Sequence, residues 1–407
     1  MSPTPRSGLG TNQEAVRRHN LGTLLRHVHQ VGNSSRAELT KGMGLNRSTI
    51  GGLVAELEAL GAVAKAEAVG TSRGAGRPSV GVRIAPHGPF VVAVDLGVDR
   101  VVVARVGLGG VIRERAETII TGSEAWQVGS TVAGLVRQVV AEAPTASSLV
   151  GMGISVPGMV RRSDGLIRLA PNLDWHDVSF GGIVLAALGL DIPVSLGNDA
   201  DLGAVAEHQR GAGVGVDDLI YISGNVGVGA GVISGGKRLE GAGGYAGEIG
   251  HLRFNPSGKL CHCGNLGCWE TEVGALAIAE AIRCPQDMVP KLGEVLDGYD
   301  KAPRELRGIG TAIGQGLASI VNVFNPQVVV LGGYFAALYS LVRTEIDEGL
   351  AQRALPAALE SVSLTVPALG RDSVLLGAAE MAFEPLFTDP VTALGSAIHD
   401  VGASLAG

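Results

Sequence analysis

A single stretch constrains this chain more than any other. Between residues 247 and 270 it reads Gly-Glu-Ile-Gly-His and then Cys-His-Cys-Gly-Asn-Leu-Gly-Cys-Trp-Glu, which holds three of its four cysteines. His251, Cys261, Cys263 and Cys268 offer one imidazole and three soft thiolates, the donor set of a closed tetrahedral Zn2+ site. Gly264 and Gly267 let the backbone wrap tightly around an ion. One structural zinc per chain is expected. Glu248 and Glu270 bracket the ligands, and a knuckle that serves stability alone has no use for them. The metal is therefore expected to brace a polar binding site.

Cysteines gathered at metal spacing, with only Cys284 left over, predict a reducing compartment rather than a disulfide framework, and hence the cytoplasm. The start, Met1-Ser2-Pro3-Thr4-Pro5-Arg6, lacks the apolar core of a signal peptide. No apolar run approaches the ~18 residues that span a bilayer, so no membrane partner is expected. A length of 407 residues suggests two or three domains, and 46% hydrophobic content with 4% aromatic points to an aliphatic core. Charge is divided unevenly. Residues 1–83 carry eleven Lys/Arg against five Asp/Glu, while the rest carries 21 basic and 34 acidic groups. A basic N-terminal module on an acidic body is the pattern of a nucleic-acid reader joined to something else.

The N-terminal pattern agrees with that reading. After a disordered start over residues 1–10, residues 12–31 place Val16, Leu21, Leu24, Leu25 and Val28 at helical spacing. Ser35 and Glu38 form a capping box for a second helix, which stops at Gly42-Met43-Gly44. A third helix follows Asn46 as N-cap, with Ile50, Leu53, Val54, Leu57 and Leu60 on one face, and ends at Gly61. Helices joined by a glycine turn make a helix-turn-helix, whose recognition helix presents Arg47, Ser48 and Thr49 to the major groove and to phosphates. Strand-like runs at 62–69 and 79–85 then flank a Gly/Arg-rich loop, a β-wing. Arg73 and Arg77 lie in that loop, and its Gly-Arg-Pro tip suits a narrow A·T minor groove. The winged helix-turn-helix is expected to fill residues 11–85 and to bind a double-stranded DNA operator. Gly51 and Gly52 sit mid-helix on the recognition element, where they cost roughly 1 kcal/mol each in helix stability and offer no hydrogen bond.

Beyond Pro89, runs at 90–96, 100–106 and 111–118 read as consecutive strands with glycine turns, followed by a helix at 129–141 and a strand at 149–155. A second cycle starts at 219–223 and 229–234 and leads into the cysteine block. Later come a helix at 306–324, strands at 328–331 and 362–366, and a helix from Val374. Two meanders that each run into α/β crossovers predict a duplicated α/β architecture with a cleft between lobes. The first lobe is expected over 86–198, the second over 199–387, and a last helix at 390–405 is expected to pack back on the first. Asn172, Asn198 and Asp199, taken singly, are as well explained as turn formers. Taken with Glu248 and Glu270 flanking the zinc block they favour a binding site.

The block 247–270, with Asn198-Asp199-Ala200 upstream, resembles the ROK family of repressors, open reading frames and sugar kinases. The resemblance implies an actin-like, ribonuclease-H-like pair of lobes closing on a monosaccharide or sugar phosphate. It matches Asn172, Asn198, Asp199, Glu248, His251 and Glu270 to the residues that hold sugar hydroxyls. Asp199 falls at the kinases' catalytic base. His251 would bind zinc through one ring nitrogen and face the sugar with the other. The phosphate loops depart from the family pattern. Asp95-Leu96-Gly97-Val98-Asp99 stands for Asp-x-Gly-Gly-Thr, and Asn225-Val226-Gly227-Val228-Gly229 has Val in place of a threonine, while Gly332-Gly333 is kept. A carboxylate repels phosphate and a lost hydroxyl removes a donor. The expectation is a homodimeric or tetrameric, sugar-responsive repressor of carbohydrate-metabolism genes that has lost kinase activity. The alternative is an ATP-dependent sugar kinase with an accessory DNA-binding module.

Overall fold

The computed structural model describes residues 13–66, 81–120 and 122–399. Its first unit is built from α1 (Gln13–Val31), β1 (Asn33–Ser35), α2 (Arg36–Met43), α3 (Arg47–Ala59), β2 (Val63–Ala66) and β3 (Gly81–Ile84). The capping box forms as the sequence predicts. Ser35 N–H donates to Glu38 Oε2 at 2.7 Å, and Glu38 N–H donates to Ser35 Oγ at 3.1 Å. Gly44 ends α2 with φ 65°, and Asn46 caps α3 by accepting from Thr49 N–H at 2.9 Å. Strands β2 and β3 pair antiparallel, with β1 on the other side of β3, which completes a winged helix-turn-helix. Arg73 and Arg77 lie outside the described residues.

The body then runs through β4 (Phe90–Leu96), β5 (Arg100–Gly107), β6 (Val111–Ile119), α4 (Ala125–Val140) and β7 (Ser148–Val156). Three short strands, β8 (Met159–Val160), β9 (Ile167–Ala170) and β10 (Trp175–Val178), form a small antiparallel sheet beside it. Helix α5 (Phe180–Leu188), β11 (Val194–Asn198) and α6 (Asp199–Arg210) follow. The second half has β12 (Leu219–Gly224), β13 (Val228–Ser234), β14 (Lys237–Arg238), α7 (Glu270–Val273), α8 (Ala275–Ile282), α9 (Leu292–Asp297) and α10 (Leu306–Phe324). It finishes with β15 (Val328–Gly333), α11 (Tyr334–Arg353), α12 (Pro356–Ser361), β16 (Ser363–Thr365), α13 (Ser373–Thr388), α14 (Pro390–Gly395) and β17 (Ile398–His399).

The duplication is visible in strand order. The first sheet runs β6-β5-β4-β7-β11 and the second β14-β13-β12-β15-β16. In each, an antiparallel meander of three strands is extended by two parallel strands on the far side of its first member. Val/Ile-rich strands buried on both faces need helices above and below, and that is what the crossovers supply. The long helices after the fifth strands trade partners. Helix α6 packs on β12 and β13 of the second sheet, whereas α13 packs on β4 and β7 of the first. From sequence, residues 373–387 are assigned to the second lobe. Glycine explains the crossing: a Cβ on Gly153 of β7 would lie 1.9 Å from the Ala378 carbonyl, and one on Gly377 1.9 Å from that of Leu202.

Two further expectations are corrected. The helix expected over 390–405 is helical only through Gly395, because Ile398–His399 turns to extend β7 as an antiparallel strand, with residues 400–407 outside the description. Val16, placed on the buried stripe of the first helix, is 45% exposed, while Gly22 and His29 are buried in that helix instead. The reason is α13. Leu21, Leu24, Leu25 and Val28 share one core with Phe383, Leu386 and Phe387, so α1 is buried against the body as well as against its own domain. Among the described residues no helix is long and apolar enough to cross a membrane.

Candidate metal and sugar site

The cysteine loop closes as the spacing predicts. One ligand atom from each of His251, Cys261, Cys263 and Cys268 lies within 4.8 Å of all the others. Cys261 Sγ is 3.7 Å from His251 Nδ1, and Cys263 Sγ is 3.6 Å from Cys268 Sγ. Ligands around a tetrahedral zinc at 2.0–2.3 Å stand about 3.3–3.8 Å apart, so the residues fit that ion. Burial holds the Cys261 thiol up at about 12. Three adjacent thiolates are stable only around a cation. Gly264 (φ 88°) and Gly267 (φ 72°) make the turns, and a Cβ on Gly267 would sit 1.5 Å from the Asn255 carbonyl. Immediately after the last ligand, Trp269 is 1% exposed and donates from its indole to the Ala312 carbonyl at 3.0 Å. The loop is thus nailed into the core of the second lobe.

That anchor sets the next residue. Glu270 accepts from Val228 N–H at 2.9 Å through Oε2, with Oε1 3.7 Å from Cys261 Sγ. His251 presents its Nε2 3.8 Å from Glu248 Oε2, so the ring lies between the sulfur cluster and the carboxylates. Asp199 begins α6 at the end of β11. Its Oδ2 accepts from Asn225 Nδ2 at 2.9 Å and from Ser223 Oγ at 3.2 Å. Asn172 lines a cleft with Val226, Gly227 and Glu270 from the opposite lobe. Asn198 is used differently: its Oδ1 caps α6 and its Nδ2 donates to the Gly158 carbonyl at 3.1 Å. Its amide is spent inside the protein and fixes where Asp199 points.

The electrostatics concentrate here. Burial raises the Asp199 carboxyl, and burial followed by the proximity of Asp199 pushes Asp95 up to about 6. Glu248 is raised by burial and, against the pull of His251, by Asp199 and Glu270. Asp201 is pushed up to about 7, chiefly by burial, despite Arg238 3.5 Å away. Sequence reasoning missed Asp95 and Asp201 as members of this group. Asp95 was read only as the start of a phosphate loop, and Asp201 differs from any helix-start aspartate only in its burial.

A folded-state carboxyl raised above its free value keeps its proton longer in the native chain, so native stability falls as pH climbs from about 4 to about 7. Asp201→Asn removes that cost. At pH 8 the variant is expected to melt roughly 2–4 °C above the parent, and at pH 4 the gap should vanish. Thermal denaturation at the two pH values checks it, and an equal shift at both would place the effect in packing.

The glycine-bearing loops at 95–99, 225–229 and 332–333 have structural occupations of their own. Gly97 N–H closes the β4–β5 turn on the Arg100 carbonyl at 2.9 Å, leaving Val98 and Asp99 at its tip. The Asn225 side chain is turned onto Asp199. A Cβ on Gly332 would lie 2.2 Å from the Tyr221 hydroxyl, and one on Gly333 (φ 60°) 1.9 Å from the Gly224 carbonyl.

Residues 91–384 match the ROK family. The chain belongs to that family. The resemblance to known proteins extends through the N-terminal winged helix-turn-helix as well. The chain is 29% identical to a putative xylose repressor of Caldicellulosiruptor sp. (strain Rt8B.4), over 93% of this chain and 99% of the relative. It is 30% identical to the xylose repressor of Caldicellulosiruptor bescii, over 88% and 93%. The structure superposes on a ROK-family transcriptional regulator homologous to the E. coli MLC protein with a TM-score of 0.73, at 25% identity and covering 96% of this chain. A ROK glucokinase of Streptomyces griseus, solved with glucose and AMPPNP, gives a TM-score of 0.62 at 26% identity and covers 72% of this chain.

Proposed function

We propose that this ROK protein is a sugar-responsive transcriptional repressor without kinase turnover. The observation that carries the reading is the joining, in one chain aligned end to end with repressors, of a winged helix-turn-helix to an acidic cleft whose phosphate loops carry Val98, Asp99 and Val226. In this reading His251, Cys261, Cys263 and Cys268 hold one Zn2+. The metal fixes the His251 tautomer, and its Nε2, with Glu248, Glu270, Asp199 and Asn172, takes a monosaccharide. Arg47 and Ser48, exposed at the start of α3, face the DNA major groove with Thr49 beside them. Two chains bind the two halves of a palindromic operator, since twofold symmetry in the protein matches twofold symmetry in the DNA. The kinase reading keeps its support in the carboxylate of Asp199 at the kinase base position, the Gly332-Gly333 pair and the likeness of the body to glucokinases.

Thermal shift of the zinc-loaded protein with D-xylose or D-glucose, with and without Mg-ATP, separates the two readings. A ligand at about 100 Kd adds about 2.7 kcal/mol to the folded state. The expected result is a rise in Tm that ATP does not alter, lost in Asp199→Asn, with no ADP formed. Sugar-dependent ADP release would overturn the non-enzymatic reading.

A further inference from the structure

Helix α6 has a second end. Asn198 and Asp199 open it at the cleft, and Arg210 closes it about 17 Å away, against the DNA-reading unit. There the Arg210 guanidinium binds the Glu380 carboxylate of α13, and its Nη1 donates to the backbone carbonyls of His29 at 3.3 Å and Gly109 at 3.1 Å. Both oxygens of Glu380 lie 3.0 Å from His29 Nε2. Gly109 N–H donates to His29 Nδ1 at 2.9 Å, which makes that nitrogen the acceptor and leaves Nε2–H to bond Glu380. His29 is 1% exposed and Glu380 2%. Higher on α6, Glu207 grips the segment that enters α13 through Ala368 N–H, Leu369 N–H and Ser373 Oγ.

The rest of the α1–α13 contact is of another kind. It consists of apolar packing, a close backbone approach of Gly22 to the Phe387 carbonyl, and Arg26, which lies 4.6 Å over the Phe387 ring and pairs with Glu384 at 2.7 Å. Exposed pairs exchange with water and hold no fixed geometry. A buried, fully hydrogen-bonded ionic cluster accepts one geometry only, because any slip strands a charge.

We propose that His29, Arg210 and Glu380 are the joint through which a displacement of α6 at the sugar cleft is delivered to α1, and so to the DNA-reading unit. All three are positioning residues. The joint rests on the proposed sugar-responsive function. A sugar that draws Asp199 across the cleft moves α6 as a rod. Arg210 then carries Glu380, His29 and the β5–β6 turn at Gly109 with it.

The test follows amide hydrogen exchange across residues 13–31 in the zinc-loaded full chain, with D-xylose or D-glucose added. Wild type should show a change of roughly fivefold in exchange over the buried part of α1 on adding the sugar that raises Tm. Glu380→Gln, which keeps shape and removes charge, should bind that sugar within about twofold of wild type yet lose the change in α1. Glu384→Gln, on the same face of α13 but not tied to α6, should keep it. A wild-type response in Glu380→Gln, or its loss in both variants, would overturn the joint. If neither sugar raises Tm, the proposed function fails, but the joint is still decided by unfolding. Glu380→Gln should then release residues 13–31 at a lower temperature than the body, and a single transition shared by both would sink it.

Discussion

Cys263→Ser is expected to abolish metal binding and the sugar response together. Cys263 is the exposed one of the three cysteine ligands, so serine there removes a thiolate without opening a hole in the core. Any lost stability must then come from the ion. Bound zinc stabilises a small structural loop by an amount that dwarfs a typical side-chain contact, and the expected fall in Tm is roughly 5–15 °C. Metal content should drop from one zinc per chain to near zero. Cys284→Ser, outside the cluster, should change neither quantity. Sugar binding should go with the metal, since His251 then loses the partner that fixes its ring and Trp269 loses the loop in front of it. A Cys263→Ser protein that still responds to sugar would refute the role given to His251.

Glu207→Gln is expected to be almost as damaging, for a different reason. Its two carboxylate oxygens are fully buried and accept from Ala212 N–H at 2.8 Å, Ala368 N–H at 3.0 Å, Leu369 N–H at 3.0 Å and Ser373 Oγ at 2.6 Å. Glutamine has the same shape but turns one acceptor into a donor, which faces two other donors. The expected loss is about 3 kcal/mol, or roughly 6–12 °C in Tm. Denaturant and thermal melts measure it directly. A loss below about 1 kcal/mol would show that residues 367–372 refold around the amide.

Much of this was legible in the residues. The metal loop is a local object, and both glycines at its bends are required by backbone conformation, so spacing alone defined it. The caps at Ser35 and Asn46 are also local, and the helix-turn-helix followed from them. The repeated meander could be read because antiparallel hairpins join neighbours in the chain. What stayed hidden was long-range. Helix α13 is buried on nearly every side, so its apolar pattern has no face to say which sheet it meets. Nothing around His29 announces a carboxylate 351 positions away. The site shows the same division. Glu248, His251 and Glu270 belong to the metal block and were found with it, whereas Asp95 and Asp201 owe their interest to burial and to charged neighbours brought in by other elements.

The pair Gly332-Gly333 carries a wider consequence. In a kinase such a pair would be counted as a sign of nucleotide. In this chain the Tyr221 ring and the Gly224 carbonyl fill the space where side chains would stand, whether or not any nucleotide ever arrives. A repressor of this architecture must therefore spell that dipeptide as faithfully as an enzyme does. Only the loop tips, where no neighbour dictates the residue, are free to record which trade the protein follows.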